Sequence, residues 1–278
     1  MDNTLELCPD QLRKLQMVLL DMMSEVDRIC RKHDIKYTMI GGTLLGAVRH
    51  GGFIPWDDDV DLGMPRREYE RFRAVCQTEL DQDKFFFQDN TTDPDYRWGY
   101  ARIRRKDSEF VRVGQEHMKM KTGIFLDIYP HDNVPDFYPF RILHATYCFI
   151  LRKALYAQTG VVTGKNALVR FVYRILNVIP AAFVFRRLEK LAKFWNGRRT
   201  KYVRALTFPM PKDGSFGFLA HWYSDTSDME FEGRIFKAMC AYDEYLKFKY
   251  GNYTVLPPED KRHWHPAAVI RVPSEYIE

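Results

Sequence analysis

Cysteine is scarce and poorly placed for cross-linking. Cys8, Cys30, Cys76, Cys148 and Cys240 are odd in number, far apart and contain no CxxC pair. That argues against a disulfide framework and a cysteine zinc cluster, and for free thiols in a reducing compartment. Uncharged runs of bilayer length are absent as well. The most apolar stretches, within residues 138–203, are studded with Arg141, Arg152, Lys153, Arg170, Arg174, Arg186 and Arg187, and Pro180 interrupts the second. Ordinary transmembrane helices are therefore not expected. Residues 1–10 are acidic and short, without a secretory pattern, so the expected location is the cytoplasm. There is no long basic run, RNA-binding signature or Arg/Gly-rich tail, so nucleic acid is not an expected partner. A net charge of +5 is modest and has to be read by location. The chain does have enough apolar material for a core: 278 residues, 46% hydrophobic and 15% aromatic, suit one catalytic domain with a helical elaboration.

The most informative stretch runs from Gly41-Gly42-Thr43 to Trp56-Asp57-Asp58-Asp59-Val60-Asp61. Strand side chains alternate faces, so Asp59 and Asp61 point one way while Val60 and Leu62 enter the core. Two carboxylates held that close repel each other, and a divalent cation with hard oxygen preference relieves the repulsion. Asp57 and Asp58 read equally well as solvated loop acids. Phosphoryl-transfer sites of this type use a third acid from a neighbouring strand. Asp127 is the one charge in an apolar run, residues 123–130, that a proline should stop; Asp132 beyond it reads as a turn residue. Residues 43–49 read as a helix whose N-terminus, opened by Gly41 and Gly42, offers free N–H groups to a phosphate, with the Thr43 hydroxyl beside them.

Residues 37–72, YTMIGGTLLGAVRHGGFIPWDDDVDLGMPRREYERF, resemble the signature of the LicD/fukutin family. LDIYPHDNVP at 126–135 resembles its third-acid segment, and YGNYTVLPPEDKRHWHP at 250–266 its closing segment. The resemblance implies an α+β, nucleotidyltransferase-like fold of the polymerase-beta type: a mixed sheet with flanking helices plus a helical elaboration. It implies Mg²⁺ or Mn²⁺ on Asp59, Asp61 and Asp127, with Asp127 orienting or deprotonating an acceptor hydroxyl. The activity implied is transfer of a phospho-alcohol from a CDP-linked donor to a glycan acceptor, typically phosphocholine from CDP-choline. CDP-ribitol or CDP-glycerol as donor, or an inactive scaffold, are the alternatives.

The remaining candidates follow from pattern. In YARIRRKDS, alternation puts Arg102 and Arg104 on one face, as a grip on the donor diphosphate or as a solvated sheet face. A choline head group needs aromatic faces, for which Trp56, Trp98 and Tyr100 are candidates. Lys261 and Arg262 are candidates for the nucleotide, and His263 and His265 for a metal, a phosphate, an acid-base step or plain turn chemistry. The expected organisation is a catalytic core over 1–137, a helical insertion over 138–215 and a C-terminal segment over 216–278 that completes the site. Basic, aromatic-rich helices in the insertion suit either burial on the core or a peripheral contact with a membrane's inner face, where a lipid-linked acceptor would reside.

Overall fold

The computed structural model describes residues 5, 7–209, 214–262 and 264–277. Helix α1 (Pro9–Lys32) carries apolar residues at three- and four-residue steps, and Leu15, Val18, Leu19, Met22, Met23, Val26 and Ile29 are fully buried beneath the sheet. Each such side chain contributes about 1.5–3 kcal/mol of burial. The chain then forms β1 (Thr38–Met39), α2 (Gly41–His50), β2 (Asp61–Pro65), α3 (Arg66–Glu79), β3 (Phe85–Gln88), β4 (Ala101–Arg105), β5 (Glu109–Arg112) and β6 (Phe125–Val134). Four helices follow, α4 (Tyr138–Leu155), α5 (Ala157–Thr163), α6 (Ala167–Leu176) and α7 (Ala181–Asn196). The rest is β7 (Tyr202–Arg204), β8 (Phe218–Leu219), β9 (Thr226–Phe231), β10 (Arg234–Met239), α8 (Tyr242–Tyr250) and β11 (Ala267–Arg271).

These strands make one mixed sheet in the order β3-β4-β6-β2-β1-β10-β9, with β7 and β8 continuing from β6, and β11 paired separately with β5. The fold is thus the expected α+β, nucleotidyltransferase-like arrangement. The β9–β10 hairpin turns on Glu232 and Gly233, whose φ values of 54° and 71° match a two-residue turn. The decisive pairing is β2 alongside β6, parallel, with Asp61 opposite Asp127.

Two local expectations change. Strand β6 does not stop at Pro130 but runs to Val134. Asp127 N–H bonds to Val60 O at 3.0 Å, so alternation directs the even-numbered N–H positions of β6 away from β2. Pro130 faces that other side, where β4 has ended opposite Ile128 and β7 begins opposite Asp132, so its missing donor costs no ladder bond. Asp132 is accordingly a strand residue, fully buried. It takes two 2.7 Å bonds from Arg66 and one of 2.6 Å from Asn196 Nδ2. This carboxylate ties α3, β6 and α7 together.

Helices α4 and α7 share a small core of their own, in which Cys148, Leu151 and Leu155 meet Val184 and Leu188. Asn166 caps α6 by accepting from Val169 N–H at 2.9 Å. Leu168, Phe171, Val172 and Ile175, at i, i+3, i+4 and i+7, lie on its exposed side, while Tyr173 is buried. No single described helix is long and apolar enough to cross a membrane; α6 and α7 together have the length and composition but are bent by 77°.

Replacing Asp132 by Ala leaves Arg66 and Asn196 without their acceptor. We expect a loss of about 3 kcal/mol in urea unfolding, with part of it recovered when Arg66 is also made Met.

Candidate active site

The corner is built by the β2–β6 pair, the N-terminus of α2 and the segment before β2. Asp59 lies just ahead of β2 rather than in it, because regular pairing begins at Asp61, yet Val60 O is already bonded to β6. Val60 and Leu62 are fully buried and Asp59 and Asp61 half-buried, as alternation requires. Thr43, 2% exposed, accepts from Asp61 N–H through its hydroxyl at 2.9 Å, which locks α2 to the acidic strand.

Gly41 has φ +60°, and its bare Cα is flanked by charge. A Cβ there would lie 3.1 Å from Lys249 Nζ and 3.2 Å from Asp61 Oδ2. The Gly41 N–H donates to Tyr245 Oη at 3.2 Å. A Cβ at Gly42 would lie 2.7 Å from Asp57 Oδ2, so the helix N-terminus expected to receive a phosphate faces the Asp57 carboxyl. Asp58 is buried and paired, accepting from His265 N–H at 3.1 Å and lying 2.8 Å from His265 Nδ1. The two acids that read equally well as loop residues are therefore part of the corner. Single carboxylate and imidazole atoms of Asp58, Asp59 and His265 lie within 4.8 Å of one another. His263 lies outside the described residues.

The electrostatics are those of crowded anions. Burial, followed by repulsion from Asp59, Asp58 and Asp61, pushes the Asp57 carboxyl well above its usual range. Burial and then Asp59 and Asp127 do the same for Asp61, against Lys249 and Arg112. Asp59 is also raised, by burial first, with His265 and Arg112 opposing. The His265 imidazole is raised chiefly by its bond to Asp58. Asp61 Oδ1 is buried without a hydrogen-bond partner among the described residues. An orphaned carboxylate oxygen among like charges is what a hard divalent cation satisfies, so the residues present fit one.

Asp127 is held differently. Arg102 Nε donates to its Oδ1 at 2.6 Å, and Tyr129 Oη donates to Oδ2 at 3.2 Å. Arg102 and Arg104 are each 1% exposed, so strand β4 presents neither a surface grip nor a solvated face. Arg104 donates instead to Gln88 Oε1 and Gly123 O, both at 2.6 Å. The aromatics separate into two places. Trp98 and Tyr100 lie beside Arg102, with its guanidinium carbon 5.1 and 5.8 Å from their ring centres, so a cation of the protein already occupies one face of each. Trp56 stands apart under Arg262, 5.0 Å from ring centre to guanidinium carbon. Arg262 is further bonded to Pro257 O at 2.9 Å, and Lys261 is exposed on the preceding turn.

Lys249 and Arg112 had no distinguishing signal in sequence. Lys249 is a basic residue in the last turn of α8, the usual partner of a helix C-terminus. Burial opposes its charge, but Tyr245, Tyr250 and Asp61 outweigh burial and hold it protonated. Arg112 approaches Asp59 Oδ2 at 3.7 Å from β5.

A nucleotidyltransferase-type sheet with a carboxylate corner at its β2–β6 junction defines the class of protein. The sequence model of the LicD/FKTN/FKRP nucleotidyltransferase domain matches residues 34–153. The chain is 30% identical to the lipopolysaccharide cholinephosphotransferase LicD of Haemophilus influenzae over 264 residues, 91% of this chain and 95% of that protein. It is 63% identical to the human ribitol 5-phosphate transferase FKRP over 93 residues, 32% of this chain and 18% of that protein. A shorter likeness, 47% over 51 residues, links 18% of the chain to 19% of the uncharacterized protein RP689 of Rickettsia prowazekii. The chain belongs to the LicD family and is a phospho-alcohol transferase of that family.

Removing one charge from the corner relieves repulsion. In metal-free buffer Asp61→Asn is expected to raise stability by about 1 kcal/mol, or Tm by about 2–4 °C. Adding Mg²⁺ is expected to raise Tm of the wild type and leave the variant unmoved, as read by calorimetry.

Proposed function

We propose that this protein transfers phosphocholine from CDP-choline to a sugar hydroxyl of a cell-surface glycan or its lipid-linked precursor, with CMP released. The end-to-end similarity to a lipopolysaccharide cholinephosphotransferase carries this reading. Mg²⁺ or Mn²⁺ would be held by Asp59 and Asp61, with Asp57 and Asp127 beside them, and would supply charge neutralisation at the donor phosphates. The unpartnered Asp61 Oδ1 supports that assignment.

The chain's own residues do the rest. The N-terminus of α2 at Gly41, Gly42 and Thr43, with the protonated Lys249 beside Gly41, receives the donor's phosphates. Asp127, fixed by Arg102 and Tyr129, orients the incoming hydroxyl and receives its proton. The acceptor oxygen bonds to the phosphorus carrying choline as the bond from that phosphorus to the CMP oxygen breaks. Preorganised charge in a half-buried corner supplies most of the rate. The local similarity to a ribitol 5-phosphate transferase favours CDP-ribitol as the second donor to test.

The same reading places the enzyme in the cytoplasm, in peripheral contact with the inner face of an anionic membrane. Residues 138–201 contain 13 lysines and arginines and one acid, Glu189, so this segment carries +12 while the rest of the chain carries −7. Part of its apolar surface is turned outward, with Leu168 71% and Val178 80% exposed. Basic helices with an exposed apolar stripe bind the headgroup boundary of anionic bilayers.

CMP release from CDP-choline, CDP-ribitol and CDP-glycerol, with a glycan acceptor and Mg²⁺, tests the chemistry. Transfer should be selective for CDP-choline and fall at least about 100-fold in Asp59→Asn and Asp61→Asn; retained activity in either variant would refute the site. In flotation, the protein should rise with phosphatidylglycerol vesicles but not with phosphatidylcholine vesicles, and Leu168→Glu with Val178→Glu should abolish the difference. No lipid binding removes the membrane contact.

A further inference from the structure

A cavity of about 350 Å³ lies between the loop at Arg97–Tyr100, the α4–α5 junction and the segment after β7. Its size falls within the range of small-ligand sites, about 300–1,000 Å³. Among the described residues three cations line it, Arg97, Arg152 and Lys153, and no carboxylate does. None of the three has an acidic partner among the described residues; Lys153 Nζ donates instead to Tyr173 Oη at 3.0 Å. Ring surface is supplied by Trp98 and Tyr156.

Two buried polar atoms there have no hydrogen-bond partner among the described residues: Arg97 Nε and the hydroxyl of Thr207, a residue 8% exposed. Buried donors left unmade cost free energy, so their concentration on one cavity wall marks where a ligand's oxygens belong. The wall also requires Gly99, since a Cβ there would lie 2.5 Å from the Thr207 methyl.

The cavity adjoins the acid corner. Phe208 lines both it and a smaller cavity of about 30 Å³ bounded by Asp61 and Lys249. The Phe208 ring meets Tyr129 edge-on at 4.9 Å, and Tyr129 donates to Asp127. In-line displacement needs the attacking and leaving groups on opposite sides of the phosphorus. With the donor phosphates assigned to Gly41 and Lys249, the side beyond Phe208 is left for the acceptor.

We infer that this cavity is an acceptor subsite that takes a phosphorylated sugar, its phosphate between Arg97, Arg152 and Lys153 and its ring against Trp98 and Tyr156. The inference rests on the transfer chemistry proposed above for its direction of approach, but not for its charge. Aromatic faces meet the C–H face of a sugar ring, and unpaired guanidinium groups select a phosphate over a neutral hydroxyl.

Calorimetric titration of the full chain with glucose 6-phosphate, glucose and CDP-choline, in Mg²⁺, tests this. Glucose 6-phosphate should bind saturably and glucose should not. Arg97→Gln and Arg152→Gln, which come from different elements, should each weaken glucose 6-phosphate about tenfold or more. Both should leave CDP-choline within about twofold, and Arg152→Lys should restore part of the loss. Unaltered glucose 6-phosphate affinity in Asp61→Asn should separate this subsite from the acid corner. The subsite is overturned if the wild type does not bind glucose 6-phosphate, or if neither Gln variant weakens it. It is overturned equally if Asp61→Asn abolishes that binding, or if the Gln variants weaken CDP-choline by the same factor, which would assign the cavity to the donor. Absence of CDP-choline binding would sink the donor reading alone, since the phosphosugar titrations are read independently.

Discussion

Asp61 and Asp127 stand opposite each other on neighbouring parallel strands, and the surroundings of the site are arranged to hold those two negative charges together. Asp127 is neutralised from within by Arg102, a fully buried guanidinium that is itself enclosed by aromatic rings. Asp61 has no such partner on one oxygen and is crowded by Asp59 and Asp57. One carboxylate is thus satisfied by the protein, while the other keeps a buried oxygen without a hydrogen bond among the described residues. A buried anion pair of this kind is tolerable because the strands that carry it are fixed by backbone bonds, by the Thr43 hydroxyl and by the fully buried Val60 and Leu62.

Arginine has several distinct parts here, separated by depth. Arg102 and Arg104 act inside the sheet, where planar, forked donors satisfy Asp127, Gln88 and a main-chain carbonyl at once. Arg66 clamps Asp132 at the join between the sheet and the helical part. The arginines of α4 to α7 mostly lack acids because their segment contains a single one, and that imbalance gives the helical part a field opposite in sign to the rest of the molecule. Cation-lined cavity, exposed apolar stripe and acidic corner are thus three environments of distinct charge and polarity in one chain.

Much of this was legible along the chain. The amphipathic period of α1, the glycine-opened helix α2, the alternation at Val60–Leu62 and the isolated Asp127 all depend on spacing of neighbours in sequence, and spacing is what strand and helix geometry reads directly. The third acid and the hairpin at Gly233 follow from the same local rules.

Other features depended on partners distant in sequence. Pro130 looked like a strand end because sequence cannot reveal that β4 stops and β7 starts on the side to which its missing N–H points. Asp132 looked like a turn because Arg66 and Asn196 are 66 and 64 residues away. Arg102 looked like a phosphate grip or part of a solvated face because alternation gives the face of a side chain but not what covers that face, and here Phe125, Trp98 and Tyr100 cover it. Asp57, Asp58, Lys249 and His265 became members of the corner only when α2, α8 and the approach to β11 closed around β2. The sequence by itself determined which residues can carry charge to one strand junction. The tertiary structure decided which charges are neutralised internally and which are left for a ligand, because pairing of buried charges is set by distance and access rather than by order along the chain.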